Sequence, residues 1–260
     1  MPKFSANLSF FYLDMPFIDR FAAAAKAGFK AVEFLFPYVE EIPTLQKTLK
    51  DTGLEIALFN APAGDWDKGD RGLPALSGRD EEYTAAIAKA IEYATALNLP
   101  HINVLAGNKS DESAEKTTAR LVERLRYAAD EFGKKGINLL LEHINNYDMP
   151  GYFVGTPSQA IAVLDAVGRD NARLQYDIYH AQRTSGELTA FLRTHFQRIG
   201  HIQIADNPNR NQPGTGEINY PFLLNEIDKL GYKGWVGLEY KPDPDANGSL
   251  GWIKGMGYSL

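Results

Sequence analysis

Four short apolar runs each deliver an oxygen-bearing side chain. Leu139-Leu140-Leu141-Glu142-His143, Leu174-Gln175-Tyr176-Asp177, Ile199-Gly200-His201-Ile202-Gln203-Ile204 and Val236-Gly237-Leu238-Glu239-Tyr240 read as buried strands that present Glu142, Asp177, Gln203 and Glu239 at or near one end. A carboxylate held out of water is costly unless it is paired or binds a metal. Three such groups converging repel one another, and a divalent cation is the simplest remedy. An all-oxygen set, with no Cys and no obligatory His, suits Mg2+ or Mn2+ better than zinc. A lone Glu or Asp at a strand end more often meets solvent or caps the next helix, but four on successive strands make that reading poor. Gln203 also reads as a structural amide.

Further residues stand where they can serve such a site. His180 follows Asp177 by three residues, so a one-turn loop would bring it beside the metal to bind a substrate oxygen; a structural histidine is the plainer reading. Arg210 lies in the Asp206–Arg210 loop and can clamp a carboxylate bidentately, or stand exposed. Pro213-Gly214-Thr215-Gly216-Glu217-Ile218 is a tight turn that shapes this loop. Trp66, Phe10 and Tyr240 can supply apolar walls, although aromatics near strand ends more often only pack. His143, next to Glu142, is expected on the opposite strand face. His201 alternates with Gln203 and is expected deeper in the same interior, whereas His101 and His195 read as structural or surface residues.

The elements that must position these groups alternate along the chain. Strands are expected at Phe4–Leu8, Ala31–Phe36, Glu55–Asn60, His101–Ala106, Asn138–His143, Leu174–Asp177, Ile199–Ile204 and Trp235–Glu239. Amphipathic stretches lie between them at Phe17–Ala27, Val39–Asp51, Glu81–Leu97, Ser113–Lys135, Pro157–Val167, Glu187–Thr194 and Tyr220–Leu230. Asp14 before Pro16 reads as a helix cap. Gly28, Gly53, Gly136 and Gly231 follow helical stretches and supply left-handed turns into the next strand. Eight strands in strict alternation predict an α/β fold, a (β/α)8 TIM barrel, with residues 1–260 as a single domain. An open doubly wound sheet is the runner-up, weakened by the lack of a G-x-G-x-x-G fingerprint after the first strand. Ala61–Arg79 reads as a long binding loop or lid, and Pro242–Leu260 as a packed tail or short helix.

Composition bounds the partners. A net charge of −6 makes nucleic acid an unexpected partner, and the absence of cysteine excludes disulfides and thiolate metal sites. No signal peptide or membrane-length apolar run is seen, so a cytoplasmic protein is expected. Whether it forms a homo-oligomer is left open.

The segments Leu141-Glu142-His143-Ile144-Asn145, Asp177-Ile178-Tyr179-His180, His201–Asp206 with Pro213–Ile218, and Gly237-Leu238-Glu239-Tyr240 together resemble the xylose-isomerase-like TIM-barrel superfamily, and within it the hydroxypyruvate isomerase family, including the 2-oxo-tetronate isomerases. The resemblance implies a divalent metal held by Glu142, Asp177, Gln203 and Glu239. It places His180 and, with a one-residue offset, Arg210 on the substrate. It implies an aldose–ketose type isomerase that moves a carbonyl in a small oxo-hydroxy acid through a metal-stabilised enediolate, with Glu142 and Glu239 as acid/base pair. A ketose epimerase or dehydratase of the same superfamily is the alternative, and a non-catalytic small-molecule-binding barrel the alternative of another class. An endonuclease-IV-like enzyme would call for a histidine-rich zinc cluster and a basic face, against five scattered His here.

Overall fold

The structure is a computed structural model describing residues 1–260. Eight parallel strands close into a barrel in chain order: β1 (Lys3–Asn7), β2 (Ala31–Glu33), β3 (Glu55–Asn60), β4 (His101–Asn103), β5 (Asn138–Glu142), β6 (Ala172–Asp177), β7 (Ile199–Ile204) and β8 (Trp235–Leu238). Closure runs from Lys3 opposite Trp235 to Ala6 opposite Leu238, leaving no strand edge unpaired. Outside the barrel lie α1 (Phe17–Ala27), α2 (Ile42–Thr52), α3 (Asp80–Ala96), α4 (Ala114–Gly133), α5 (Pro157–Val167), α6 (Ile178–Thr184), α7 (Leu188–His195), α8 (Tyr220–Lys229) and α9 (Gly251–Gly255). No helix is long and apolar enough to cross a membrane.

Strand periodicity of two sorts the side chains into two layers. One set, including Leu139, Leu141, Ile202 and Ile204, joins the large apolar core with the helices. The alternate set fills the lumen. There Leu58 and Leu140 form a small separate apolar cluster, joined by Ala57, the extra residue of β3 at its register shift against β2. The rest of the lumen is polar and buried: Ser5, Asn7, Glu33, Asn103, Gln175, His201 and Gln203. Register levels the strand ends, since Glu142 faces Gln175, Asp177 faces Gln203, and Gln203 faces Gly237.

Three local expectations are corrected. Asp14 does not cap α1: Pro16 itself occupies the cap position, with φ −54° and ψ 146°, and no side chain bonds there. The segment after Asp177 is not a one-turn loop but the helix α6, too short to show a periodicity. β8 stops at Leu238, so Glu239 stands just beyond the strand, its N–H still bonded to the Ile204 carbonyl at 3.2 Å. The tail is helical at α9, where Trp252 meets Phe4 edge-on at 5.4 Å. The Ala61–Arg79 segment is fastened rather than loose. Arg124 on α4 donates to the Leu73 and Leu76 carbonyls at 2.8 and 2.6 Å, and Arg120 to Ala75 at 2.8 Å. Gly28, Gly53, Gly136 and Gly231 all take positive φ, as the helix-to-strand turns require.

Candidate active site

Glu142 ends β5 and is buried. Asn103 of β4 donates to its Oε2 at 3.0 Å, and the Tyr152 hydroxyl ties its carbonyl at 3.3 Å. Asp177 ends β6 and caps α6: its Oδ1 accepts from the Tyr179 and His180 N–H groups at 2.7 and 3.2 Å. Its Oδ2 is buried with no partner. The first turn of α6 carries His180 back to the strand end, with Nε2 3.7 Å from that Oδ2. Glu142, Asp177 and His180 each offer an atom within 4.8 Å of the others. An orphaned carboxylate oxygen inside such a group is what a bound cation would satisfy.

Gln203 sits between two partners. Its Nε2 donates to Glu33 Oε1 at 2.9 Å, and its Oε1 accepts from Gln175 Nε2 at 2.6 Å. Glu33 also receives Ser5 Oγ at 2.8 Å, Asn7 Nδ2 at 3.3 Å and His201 Nε2 at 2.9 Å. These bonds cross the lumen from β1 and β7 to β2. Gly237 makes room for this group, because a Cβ there would lie 2.2 Å from Glu33 Oε1. Glu33 does not stand out in the sequence. The signal that marks it is a lone acid within the apolar run Ala31–Phe36, which demands buried partners.

Arg210 is drawn into the site. Its backbone is left-handed, with φ +61°. Its guanidinium donates to Glu239 Oε1 at 2.8 Å and Asp148 Oδ2 at 3.4 Å, and lies 3.9 Å from Asp177 Oδ2. Phe10 and Tyr179 flank it at 5.0 and 5.1 Å from their ring centres. The loop that aims it is wound on buried Asp206. That carboxylate accepts from the N–H groups of Asn207, Gly214, Gly216 and Ile218 at 2.8–3.1 Å. The Pro213–Ile218 turn therefore shapes the loop through Asp206, a residue whose role no local pattern signals.

These side chains border a cavity of about 140 Å3 whose wall includes Phe10, Trp66, Glu142, His180, Arg210 and Glu239. Asp177 and Gln203 are not part of that wall. Trp66 packs edge-on against Phe36 at 5.4 Å and under Arg71. Tyr240 is withdrawn, fully buried against Phe11 and Ser249. His143 faces the other side, 5.6 Å from the Tyr176 ring. His101 stands at the start of β4 and His195 stacks on Phe191, both away from the cavity.

Burial sets the electrostatics. It lifts the Glu142 carboxyl well above the ordinary range, Asp177 adds to this, and Arg210 opposes it. Burial lifts Glu239 as well, against the pull of Arg210. Asp177 is raised by burial, with Arg210 and the α6 N–H groups restraining the rise. His180 is held neutral by burial first, then by Arg210. Burial alone would lower Arg210, but Glu239, Asp177, Asp148 and Glu142 more than offset it.

A barrel with carboxylates at its strand ends defines a class, and comparison with known proteins specifies it. The family model described as a xylose isomerase-like TIM barrel matches residues 21–256. The hydroxypyruvate isomerase of Escherichia coli (strain K12) is 47% identical over 97% of this chain and 98% of its own. The 2-oxo-tetronate isomerase of Cupriavidus necator is 44% identical over 98% of each. A solved structure described as an AP endonuclease, family 2, from Brucella melitensis superposes with a TM-score of 0.96 at 39% identity, covering 98% of this chain and 99% of that one. The chain belongs to the xylose isomerase-like TIM-barrel family and, within it, to the hydroxypyruvate isomerase family.

Proposed function

We propose that the chain is an isomerase that moves the carbonyl between adjacent carbons of a small oxo-hydroxy acid, either hydroxypyruvate to tartronate semialdehyde or 2-oxo-tetronate to 3-oxo-tetronate. One observation carries the reading: Arg210 faces the same small cavity as two buried carboxyls, Glu142 and Glu239, whose proton affinity is raised by burial. A cation in an otherwise acidic wall suits a substrate carboxylate, which a neutral ketose lacks. The cavity, far below the roughly 300–1,000 Å3 of drug-sized sites, suits a three- or four-carbon molecule. The names of the relatives point the same way. The endonuclease name of the Brucella protein does not transfer, since only His180 among the histidines joins the carboxylate group and the net charge is −6.

Glu142, Asp177, Gln203 and Glu239 are the residues that would hold a divalent cation, Mg2+ or Mn2+; Glu142 and Asp177 already lie in one group, while Gln203 Oε1 is shared with Gln175 and Glu239 Oε1 with Arg210. Asp177 Oδ2, buried and unpaired, is the atom that most needs one. When bound, such an ion supplies Lewis-acid polarisation of a substrate carbonyl. The chain's own groups do the rest. Glu142 or Glu239, according to direction, takes the proton from the hydroxyl-bearing carbon next to the carbonyl, the other carboxyl returns a proton to the former carbonyl carbon, and the proton of that hydroxyl passes to the former carbonyl oxygen, so no proton is gained or lost overall. Burial raises the proton affinity of both carboxyls above that of a free carboxylate, and a bound cation would lower it again. Arg210 orients the substrate carboxylate, His180 meets a substrate oxygen, and Trp66 walls off water.

The test is turnover followed by NMR on hydroxypyruvate, 2-oxo-tetronate and free ketoses, with and without a chelator. One of the two oxo acids is expected to isomerise, to stop with chelator and to resume with Mg2+ or Mn2+. Epimerisation of a ketose with neither acid turned over would overturn the reading.

A further inference from the structure

The loop after β5 holds a contact that the reaction does not by itself explain. Asn145 is completely buried and lies against His180. Its Oδ1 accepts from the Tyr147 and Asp148 N–H groups at 3.0 and 2.9 Å. Backbone N–H groups can only donate, so the amide cannot be flipped, and Nδ2 must face outward as a donor. Nδ2 lies 2.6 Å from His180 Nδ1, and the Asn145 backbone N–H points at the same nitrogen from 3.5 Å. Two donors converge on Nδ1, so Nδ1 must be the lone-pair nitrogen. A proton there would set donor against donor at hydrogen-bond distance, which excludes both the Nδ1–H tautomer and the imidazolium.

We propose that Asn145 is a positioning residue that fixes His180 as a neutral ring with its proton on Nε2, making His180 a hydrogen-bond donor to a substrate oxygen and not a metal ligand. The substrate half of this rests on the isomerase reading; the tautomer half does not. Nδ1 is blocked by the amide, and Nε2 carries the proton, so neither nitrogen has a lone pair for a cation. The ring is close enough to Glu142 and Asp177 to pass for a third ligand. Its hydrogen bonds give it the other role. His180 borders the cavity, and its Nε2 is too far from Asp177 Oδ2, at 3.7 Å, to spend its proton there. That N–H is left for an acceptor in the cavity, and the matching substrate atom is a carbonyl oxygen or the oxyanion that develops from it.

Long-range 1H–15N NMR of the full chain reads the tautomer directly, with His180 assigned by the signals lost in His180→Gln. The expected result is a proton on Nε2 and none on Nδ1, in the metal-free protein and after addition of Mg2+ alike. A proton on Nδ1, or loss of the Nε2 proton on adding Mg2+, would overturn the inference. In Asn145→Asp the new carboxylate oxygen accepts where the amide donated, so Nδ1 is expected to gain a proton; an unchanged ring would equally contradict it. The wild-type spectrum decides the matter even if that variant does not fold. Because no turnover is needed, a failed isomerase assay leaves the tautomer result standing, while an Nδ1 proton sinks this inference alone.

Discussion

Burial gives one chemical group different work according to its partners. Glu33 is met by Ser5, Asn7, His201 and Gln203, so both its oxygens are engaged and it acts as the fixed centre of the lumen. Glu142 and Glu239 are buried with fewer donors, and burial raises their proton affinity above that of an ordinary carboxylate. Arg210 restrains that push and is the one cation facing the cavity. Arg210→Lys keeps the charge but loses the planar fork, so KM for the oxo acid is expected to rise by about tenfold or more; steady-state kinetics with an unchanged KM would refute its role. The strand-end placement of Glu142, Asp177, Gln203 and Glu239 is legible in the sequence, although Gln203 is singled out there mainly by the family resemblance. Glu33 and Asn145 are not, because their partners lie 26 to 170 and 35 residues away. At Asp177 the capping reading accounts for one oxygen, which bonds the Tyr179 N–H, while the other is buried without a hydrogen-bond partner.

At the scale of elements, the loop that aims Arg210 depends on one buried carboxylate. Asp206→Ala strips four N–H groups of their acceptor. Urea unfolding is expected to show a loss of about 3 kcal/mol, with a raised KM as Arg210 loses its place; an unchanged midpoint would contradict this account of the loop. At the start of β4, burial, aided by His201 and Arg173, lowers the His101 ring to about 4. Unfolded, it titrates near 6.5, so between those values the unfolded chain binds more protons and stability falls as pH falls. The buried acids with raised values pull the other way, so the comparison is between proteins. His101→Gln is expected to flatten the loss between about pH 6.5 and 4, and an identical slope would exclude the ring as its source. Helices with a long apolar stripe, such as α1 and α5, show their true ends in the sequence. The seven-residue α6 does not, because two turns are too few to show a period.

The whole molecule follows from the alternation of short apolar runs with amphipathic ones, which is why the barrel is legible in the amino-acid order itself. Strand order, closure and the common level of the strand ends come with that architecture. What sequence could not supply is the composition of the lumen, where residues from non-neighbouring strands meet. Its apolar plug and polar remainder pack around the bases of the strand-end carboxylates and restrict their positions. Isomerisation in D2O shows whether Glu142 and Glu239 move the substrate proton. The wild-type chain is expected to place deuterium on the carbon next to the carbonyl, and Glu142→Gln and Glu239→Gln each to slow that uptake by at least about a hundredfold. Uptake at the wild-type rate in both variants would contradict the account.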